Sequence, residues 1–262
     1  MSRFRSSVFL RTAAVVTGAS LALAALVSVF LSPSTANSNP VTLSCAPRVV
    51  VVDLSSADRS PQLSNLALHV IESAADTAVV CNSQLGVYGV AGGGEDTSIL
   101  TNANLAAFTP VGPNARVRSS RFSASTRRAV AALVAARLRK AYRIGDPSIT
   151  SIAALYQLAA EQSTSNTIIT LLTTGVNEDS MVNLNRPLGA GQGTQLARQV
   201  SIPRVAAKEI VLVGIAQVDA TLAPPSPQWP TQIWDFNNSL CHAASPHCRL
   251  YTIASVPQAL GS

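Results

Sequence analysis

The sequence predicts an α/β fold, with an open, mostly parallel β-sheet and helices on both faces. Short runs of β-branched and aliphatic residues, typical of strands buried on both faces, alternate with segments whose apolar residues recur at helical spacing. The chain has 262 residues, 47% of them hydrophobic and 12% charged, which excludes an intrinsically disordered protein and provides for one sizeable core. We therefore expect a single folded domain.

The first 36 residues predict an export signal. Basic residues without any acid precede an apolar run over residues 13–31, and small residues at Ser34 and Ala36 predict cleavage after Ala36. The run approaches the ~20 residues that span a bilayer, so an uncleaved signal anchor is the alternative. In both cases we expect a linker over residues 37–47 and an exported domain over residues 48–256, either secreted or at the outer face of the cytoplasmic membrane. Membrane contact is then expected only through an uncleaved leader.

The exported part opens with a strand–helix–strand unit. Residues 48–53 form a β-branched run, residues 62–78 carry apolar side chains at helical spacing, and residues 84–91 return to strand character. Residues 92–114 are rich in Gly, Asn, Thr and Pro and leave room for a short strand near 98–101.

A basic helix is predicted over residues 123–142. Its apolar stripe includes Leu133, and its other face is expected to carry Arg127, Arg128, Arg137, Arg139 and Lys140. This face is either a solvated surface or a contact surface for an anionic wall polymer, a lipid head group or a protein. Aromatic residues are not interleaved with the cations, which argues against nucleic acid as a partner. The formal charge of +6, from 19 basic and 13 acidic residues, falls to +3 without the leader's Arg3, Arg5 and Arg11.

Strand and helix continue to alternate to the C-terminus. The predicted helices are residues 149–161, 192–205 and 228–242, and the predicted strands are residues 167–173, 209–216 and 249–254.

The four cysteines predict disulfides in an oxidising compartment. Cys45 and Cys81 each lie three residues before a predicted strand. If those strands are parallel neighbours, the two cysteines lie side by side, within the ~4.4 to 6.8 Å that a disulfide accepts between Cα atoms. Cys241 and Cys248 would then close a short loop. The alternative for that loop is a metal site with His242 and His247.

Candidate ligands for a divalent cation follow the first strand. Asp53 and Ser55 stand two residues apart where a parallel sheet gathers its ligands, and either Thr150 or Ser151 offers a further hydroxyl at the predicted helix 149–161. Carboxylate and hydroxyl oxygens suit Mg²⁺ or Mn²⁺.

At these residues the chain resembles the von Willebrand factor A domain family. Residues 49–57 (Val-Val-Val-Val-Asp-Leu-Ser-Ser-Ala) resemble the family's apolar strand followed by Asp-x-Ser-x-Ser, and residues 171–175 (Leu-Leu-Thr-Thr-Gly) resemble its Leu-Thr-Asp-Gly. The resemblance implies a Rossmann-like six-stranded sheet with one antiparallel edge strand. It also implies an adhesion site at Asp53, Ser55 and Thr150 that binds a partner's carboxylate through a cation.

The sequence departs from the family pattern at two ligand positions. Ala57 replaces the second serine, and Thr174 stands where the family has its second aspartate. These changes remove one negative charge and two oxygen ligands, so cation affinity should fall and the site should be degenerate.

The expected function is that of a non-enzymatic binding or adhesion module for a protein or a cell-envelope polymer. We expect it to require no cofactor, and Mg²⁺ or Mn²⁺ is the cation that its site would take. The alternative is an exported hydrolase with an unrecognised site, which the scarcity of histidines (three in the chain) disfavours.

Overall fold

The computed structural model describes residues 46–55, 61–80, 83–91, 96–104, 151–217 and 224–252, together with most helical positions between 125 and 140. The leader, and the predicted disulfide between Cys45 and Cys81, lie outside these residues. Residues Met1–Val41 and Thr42–Ser262 form separate units. Within the described residues, no helix is both long enough and apolar enough to cross a membrane.

The structure is an α/β fold, as predicted. Its strands are β1 (Arg48–Asp53), β2 (Gln84–Ala91), β3 (Asp96–Asn104), β4 (Ile168–Leu172), β5 (Glu209–Val213) and β6 (Cys248–Tyr251). Its fully described helices are α1 (Pro61–Val80), α2 (Ile152–Glu161), α3 (Gln192–Ala197) and α4 (Trp229–Ala244).

The strand order is β3-β2-β1-β4-β5-β6. Strands β2, β1, β4, β5 and β6 are mutually parallel, whereas β3 pairs with β2 in the antiparallel sense. The chain adds β2 on one side of β1 and β4 on the other, so the order reverses at β1. Ligands of open α/β sheets bind outside the carboxyl ends of the strands at such a reversal, so we call this side of the sheet the carboxyl edge.

Helix α1 covers one face of the sheet, and every buried residue of that cluster is Val, Leu, Ile or Ala. We call this side the aliphatic face. The apolar positions predicted for α1 (Leu63, Leu66, Ala67, Val70, Ile71 and Ala74) are all buried in it.

Helices α2, α3 and α4 pack on the opposite face, which we call the mixed face. Its cluster contains Tyr88, Tyr156, Trp229 and Phe236 in addition to aliphatic residues. The disulfide between Cys241 and Cys248 ties α4 to β6 on this side. That predicted pair is therefore present, and its thiols are joined to each other rather than available as metal ligands.

Several element boundaries and one side chain differ from the sequence predictions; β3, for example, runs over Asp96–Asn104 where a short strand near 98–101 was expected. Helix α3 ends at Ala197 and does not reach the predicted end at Val205, which Pro203 disfavours because the residue before a proline avoids the helical conformation. Strand β5 ends at Val213, before Gly214, which has a φ of 96°. Leu133, predicted to lie on an apolar stripe, is 43% exposed.

Candidate functional site

The carboxyl edge holds a buried hydrogen-bond network centred on Asp53. β1 and β4 are parallel neighbours with Val52 opposite Leu172, so Asp53 and Thr173 meet directly beyond that pair. The two oxygens of Asp53 accept hydrogen bonds from the backbone N of Ser55 at 2.9 Å and from Oγ1 of Thr173 at 3.0 Å. Only 3% of Asp53 is exposed. Its carboxylate is therefore committed to joining the ends of two strands.

The network continues from Thr173 into helix α4. The hydroxyl of Thr173 accepts a hydrogen bond from the backbone N of Gly175 at 2.9 Å, and the carbonyl of Gly175 accepts one from Nδ2 of Asn237 at 2.9 Å. Gly175 has a φ of 75°, and a Cβ at this position would collide with the Asn237 side chain. Asn237 also opens an Asn-Asn-Ser glycosylation sequence, but it is fully buried in the fold.

Ser55 carries a polar atom that this network leaves out. Its side chain is fully buried, and its Oγ has no hydrogen-bond partner among the described residues. A buried hydroxyl without a protein partner loses its hydration without compensation, so Ser55 lowers the stability of this edge unless an internal water satisfies it.

The described residues match a divalent cation in donor type but not in charge. Asp53, Ser55 and Thr173 supply hard oxygens, yet Asp53 is the only acid in the network, and Thr174 at the position of the family's second aspartate is a buried neutral hydroxyl. Nowhere in the described part of the chain do three His, Cys, Asp or Glu residues gather as a metal group would require. Thr150 lies outside the described residues.

The loop between β4 and α3 leaves the carboxyl edge and is held to the core by its own polar side chains. Asn177, fully buried, accepts a hydrogen bond from the backbone N of Ile152 at 2.9 Å and donates one to the carbonyl of Val182 at 2.6 Å. Trp229 donates from Nε1 to the carbonyl of Leu184 at 2.6 Å. The loop is therefore fixed to both α2 and α4.

The tip of this loop displays an apolar side chain. Oδ1 of Asp179 accepts hydrogen bonds from the backbone N atoms of Met181 and Val182 at 2.9 and 2.8 Å. Val182 points into the core, whereas Met181 is 66% exposed. The sequence pattern did not single out Met181 as a functional residue. The available signal was a turn-forming Asn-Glu-Asp-Ser segment directly before a Met-Val pair.

The other predicted groups lie elsewhere. His247 is exposed directly before β6, and His242 is exposed in the last turn of α4, so both lie toward the opposite, amino edge of the sheet. Arg128, Arg137, Arg139 and Lys140 are exposed at helical positions, whereas Arg127 lies outside the described residues. The structure therefore brings Asp53 and Ser55 together but not with the histidines.

Comparison with known proteins identifies no family. No family model and no curated protein matches the chain. One similar solved structure is an aerotolerance-related membrane protein of Bacteroides fragilis, solved with multiple mutations to serine, with 11% identity, a TM-score of 0.44 and coverage of 82% of this chain and 95% of that one. Another is proximal thread matrix protein 1 of the mussel byssus, with 13% identity, a TM-score of 0.37 and coverage of 84% and 47%. The von Willebrand factor A resemblance therefore stays a prediction from the sequence.

Proposed function

We propose that this protein is an exported, non-enzymatic binding module of von Willebrand factor A-like fold that recognises a protein or a cell-envelope polymer at the carboxyl edge of its sheet. The observation that carries the proposal is Met181, displayed on a loop whose backbone is already held by Asn177, Asp179 and Trp229. An apolar contact on a pre-ordered loop binds without a further loss of loop entropy.

The state of the buried network supports binding rather than catalysis. Both Asp53 oxygens accept hydrogen bonds within the fold, and the Ser55 hydroxyl is inaccessible to a substrate. A hydrolase would need a base within hydrogen-bond reach of an exposed nucleophile. The sequence has no histidine in residues 46–55 or 173–191, and His242 and His247 lie toward the other edge. The exported hydrolase is therefore the less favoured alternative.

Recognition at this edge is proposed to proceed without a resident cation. The single carboxylate of the network gives Mg²⁺ or Mn²⁺ too little charge, and Asp53 already serves as the acceptor between β1 and β4. In this proposal Asp53 and Ser55, with Thr150, keep the positions of an adhesion site while the exposed loop makes the contact.

Site-specific photo-crosslinking in intact cells tests the proposed binding edge. A crosslinking amino acid replaces Met181 in one variant and Lys208 in the control, because Lys208 is also exposed but precedes β5 at the amino edge. We expect a discrete adduct, either one protein band or a polymer ladder, only from position 181. Equal labelling from both positions, or none from position 181, would contradict the proposal.

Thermal unfolding with added cations tests the metal dependence separately. A ligand that binds only the folded state adds about 2.7 kcal/mol at 100 times its dissociation constant, which a melting curve detects readily. We expect Mg²⁺, Mn²⁺ and Ca²⁺ to leave the midpoint unchanged. A saturable rise that disappears in Asp53→Asn would show that the site holds a cation after all.

A further inference from the structure

A helix between β3 and α2 in the chain carries a strongly basic exposed surface. The described positions between 125 and 140 are helical, and all of them are exposed except the half-buried Ala135. We call this surface the basic face; its described members are Ser125, Arg128, Ala129, Ala132, Leu133, Ala135, Ala136, Arg137, Arg139 and Lys140.

Helical geometry arranges these residues in a defined pattern. At about 100° per residue they fall on one arc of roughly 200°. Small residues, namely Ser125 and several alanines, occupy its centre. Arg128 and Arg139 border one side, and Leu133, Lys140 and Arg137 border the other. The helix backbone can therefore approach a flat surface closely while cations contact it on both sides.

Charge complementarity makes the partner anionic. No Asp or Glu occurs in the sequence between Asp96 and Asp146. Guanidinium groups bind phosphate oxygens with paired, charge-assisted hydrogen bonds, and each cation near an anionic bilayer strengthens attachment. The exposed Arg139 and Lys140 therefore fit a surface covered with phosphate groups.

Leu133 indicates which anionic surface this is. It is one of two exposed large hydrophobic residues in the described part of the chain, the other being Met181, and it lies among the cations. A soluble polyanion gains nothing from such a side chain, whereas a helix lying in a bilayer interface inserts its apolar residues below the head groups.

We propose that the basic face binds an anionic phospholipid bilayer. The exported domain would then dock on the membrane through this helix whether or not the leader is cleaved. Both core clusters lie within the unit Thr42–Ser262, so a protein beginning at Asn37 keeps the complete fold.

Vesicle flotation of the protein from Asn37 to Ser262 tests this inference. We expect binding to mixed phosphatidylglycerol–phosphatidylcholine vesicles, none to phosphatidylcholine alone, and loss of binding in high salt. Arg139→Gln/Lys140→Gln should weaken binding roughly 30-fold, at about fivefold per cation. The matched control Arg198→Gln/Arg204→Gln removes two exposed cations elsewhere in the chain and should change binding less than twofold.

A second pair of variants separates a bilayer from a soluble polyanion. Leu133→Ser should weaken vesicle binding about fivefold, whereas Met181→Ser, the other exposed apolar residue, should not. Thermal midpoints for all variants verify that they are folded. The inference is overturned if Arg139→Gln/Lys140→Gln binds like wild type, if uncharged vesicles bind equally, or if polyphosphate competes fully and Leu133→Ser has no effect.

Discussion

The two faces of the sheet bury different kinds of side chains. The aliphatic face, under α1, buries only Val, Leu, Ile and Ala in its cluster, whereas the mixed face buries aromatic rings, a disulfide and three amide side chains (Asn177, Gln232 and Asn237). Apolar packing is tolerant of sequence and does not specify direction, but a buried amide requires partners at fixed positions. The buried amides of the mixed face therefore fix the positions of the elements packed there, whereas the aliphatic face imposes no such requirement.

The difference follows from what each face must hold. Among the described elements, the aliphatic face is covered by α1, which connects β1 and β2. The mixed face also carries the β4–α3 loop. Its buried backbone groups lie outside the hydrogen-bond ladders of strands and helices, so they need side-chain partners. Asn177 and Trp229 supply them to the loop, and Gln232 accepts a hydrogen bond from the backbone N of Gly193 at 2.9 Å, where α3 begins. The proposed binding loop thus depends on the polar part of the core.

The largest loss of stability is expected when a buried amide of the mixed face is removed. Asn177→Ala removes two side-chain hydrogen bonds: the buried backbone N of Ile152 loses its partner, and the carbonyl of Val182 keeps only the hydrogen bond from the backbone N of Asp179 at 3.3 Å. We expect a loss of about 3 kcal/mol in the free energy of unfolding in urea, from ~1 to 3 kcal/mol for the unsatisfied N–H of Ile152 and ~1 kcal/mol for the lost hydrogen bond to Val182. The control Asn183→Ala removes the same side chain at an exposed site of the same loop and should change stability by less than ~0.5 kcal/mol. Similar losses in both would mean that the loop is not held by Asn177.

The same contrast explains what the sequence could predict. The order of strands and helices and the core of α1 were predicted because a run such as Val49–Val52, or apolar residues repeated at helical spacing, reflects burial directly, whereas the ends of several strands were not. The position of Asp53 and Ser55 at the carboxyl edge followed from strand order. Asn177 and Asn237 carried no periodic signal, because their roles depend on residues 25 and 62 positions away in the chain. Met181 was missed because neighbouring Val182 and exposed Met181 look alike without the loop's geometry.

The disulfide provides the next largest effect and belongs only to the mixed face. Replacing Cys241 and Cys248 together with Ala opens a loop of seven residues' separation. Loop-closure entropy predicts a loss of about 2.5 kcal/mol. Urea unfolding of the double variant measures it, and because Cys45 and Cys81 stay intact, the difference from wild type reports this bridge alone. An unchanged midpoint would show that the bridge does not restrain the unfolded chain.

Removing one buried methyl group should lower stability by the same amount on both faces. Ile71 on the aliphatic face and Ile169 on the mixed face are each at most 1% exposed. Ile71→Val and Ile169→Val should therefore each cost about 1 kcal/mol, the usual loss for one buried methyl group. Equal values would show that the faces differ in their polar groups and not in how tightly they pack. A much larger loss at Ile169 would instead place the difference in the apolar packing itself.

The smallest effect at neutral pH is expected at Tyr156, whose hydroxyl is fully buried without a partner among the described residues. Tyr156→Phe removes an unsatisfied group and should leave stability unchanged or raise it by up to ~1 kcal/mol.

Burial raises the pKa of Tyr156 well above its ordinary value near 10. Above that pH the unfolded chain releases this proton while the folded chain keeps it, so the stability that Tyr156 contributes is lost as the pH rises. Unfolding free energies measured above pH 10 should fall more steeply for wild type than for Tyr156→Phe, by up to ~1.4 kcal/mol per pH unit. Parallel curves would show that this hydroxyl reaches solvent, and the mixed face would then be more open than its buried amides indicate.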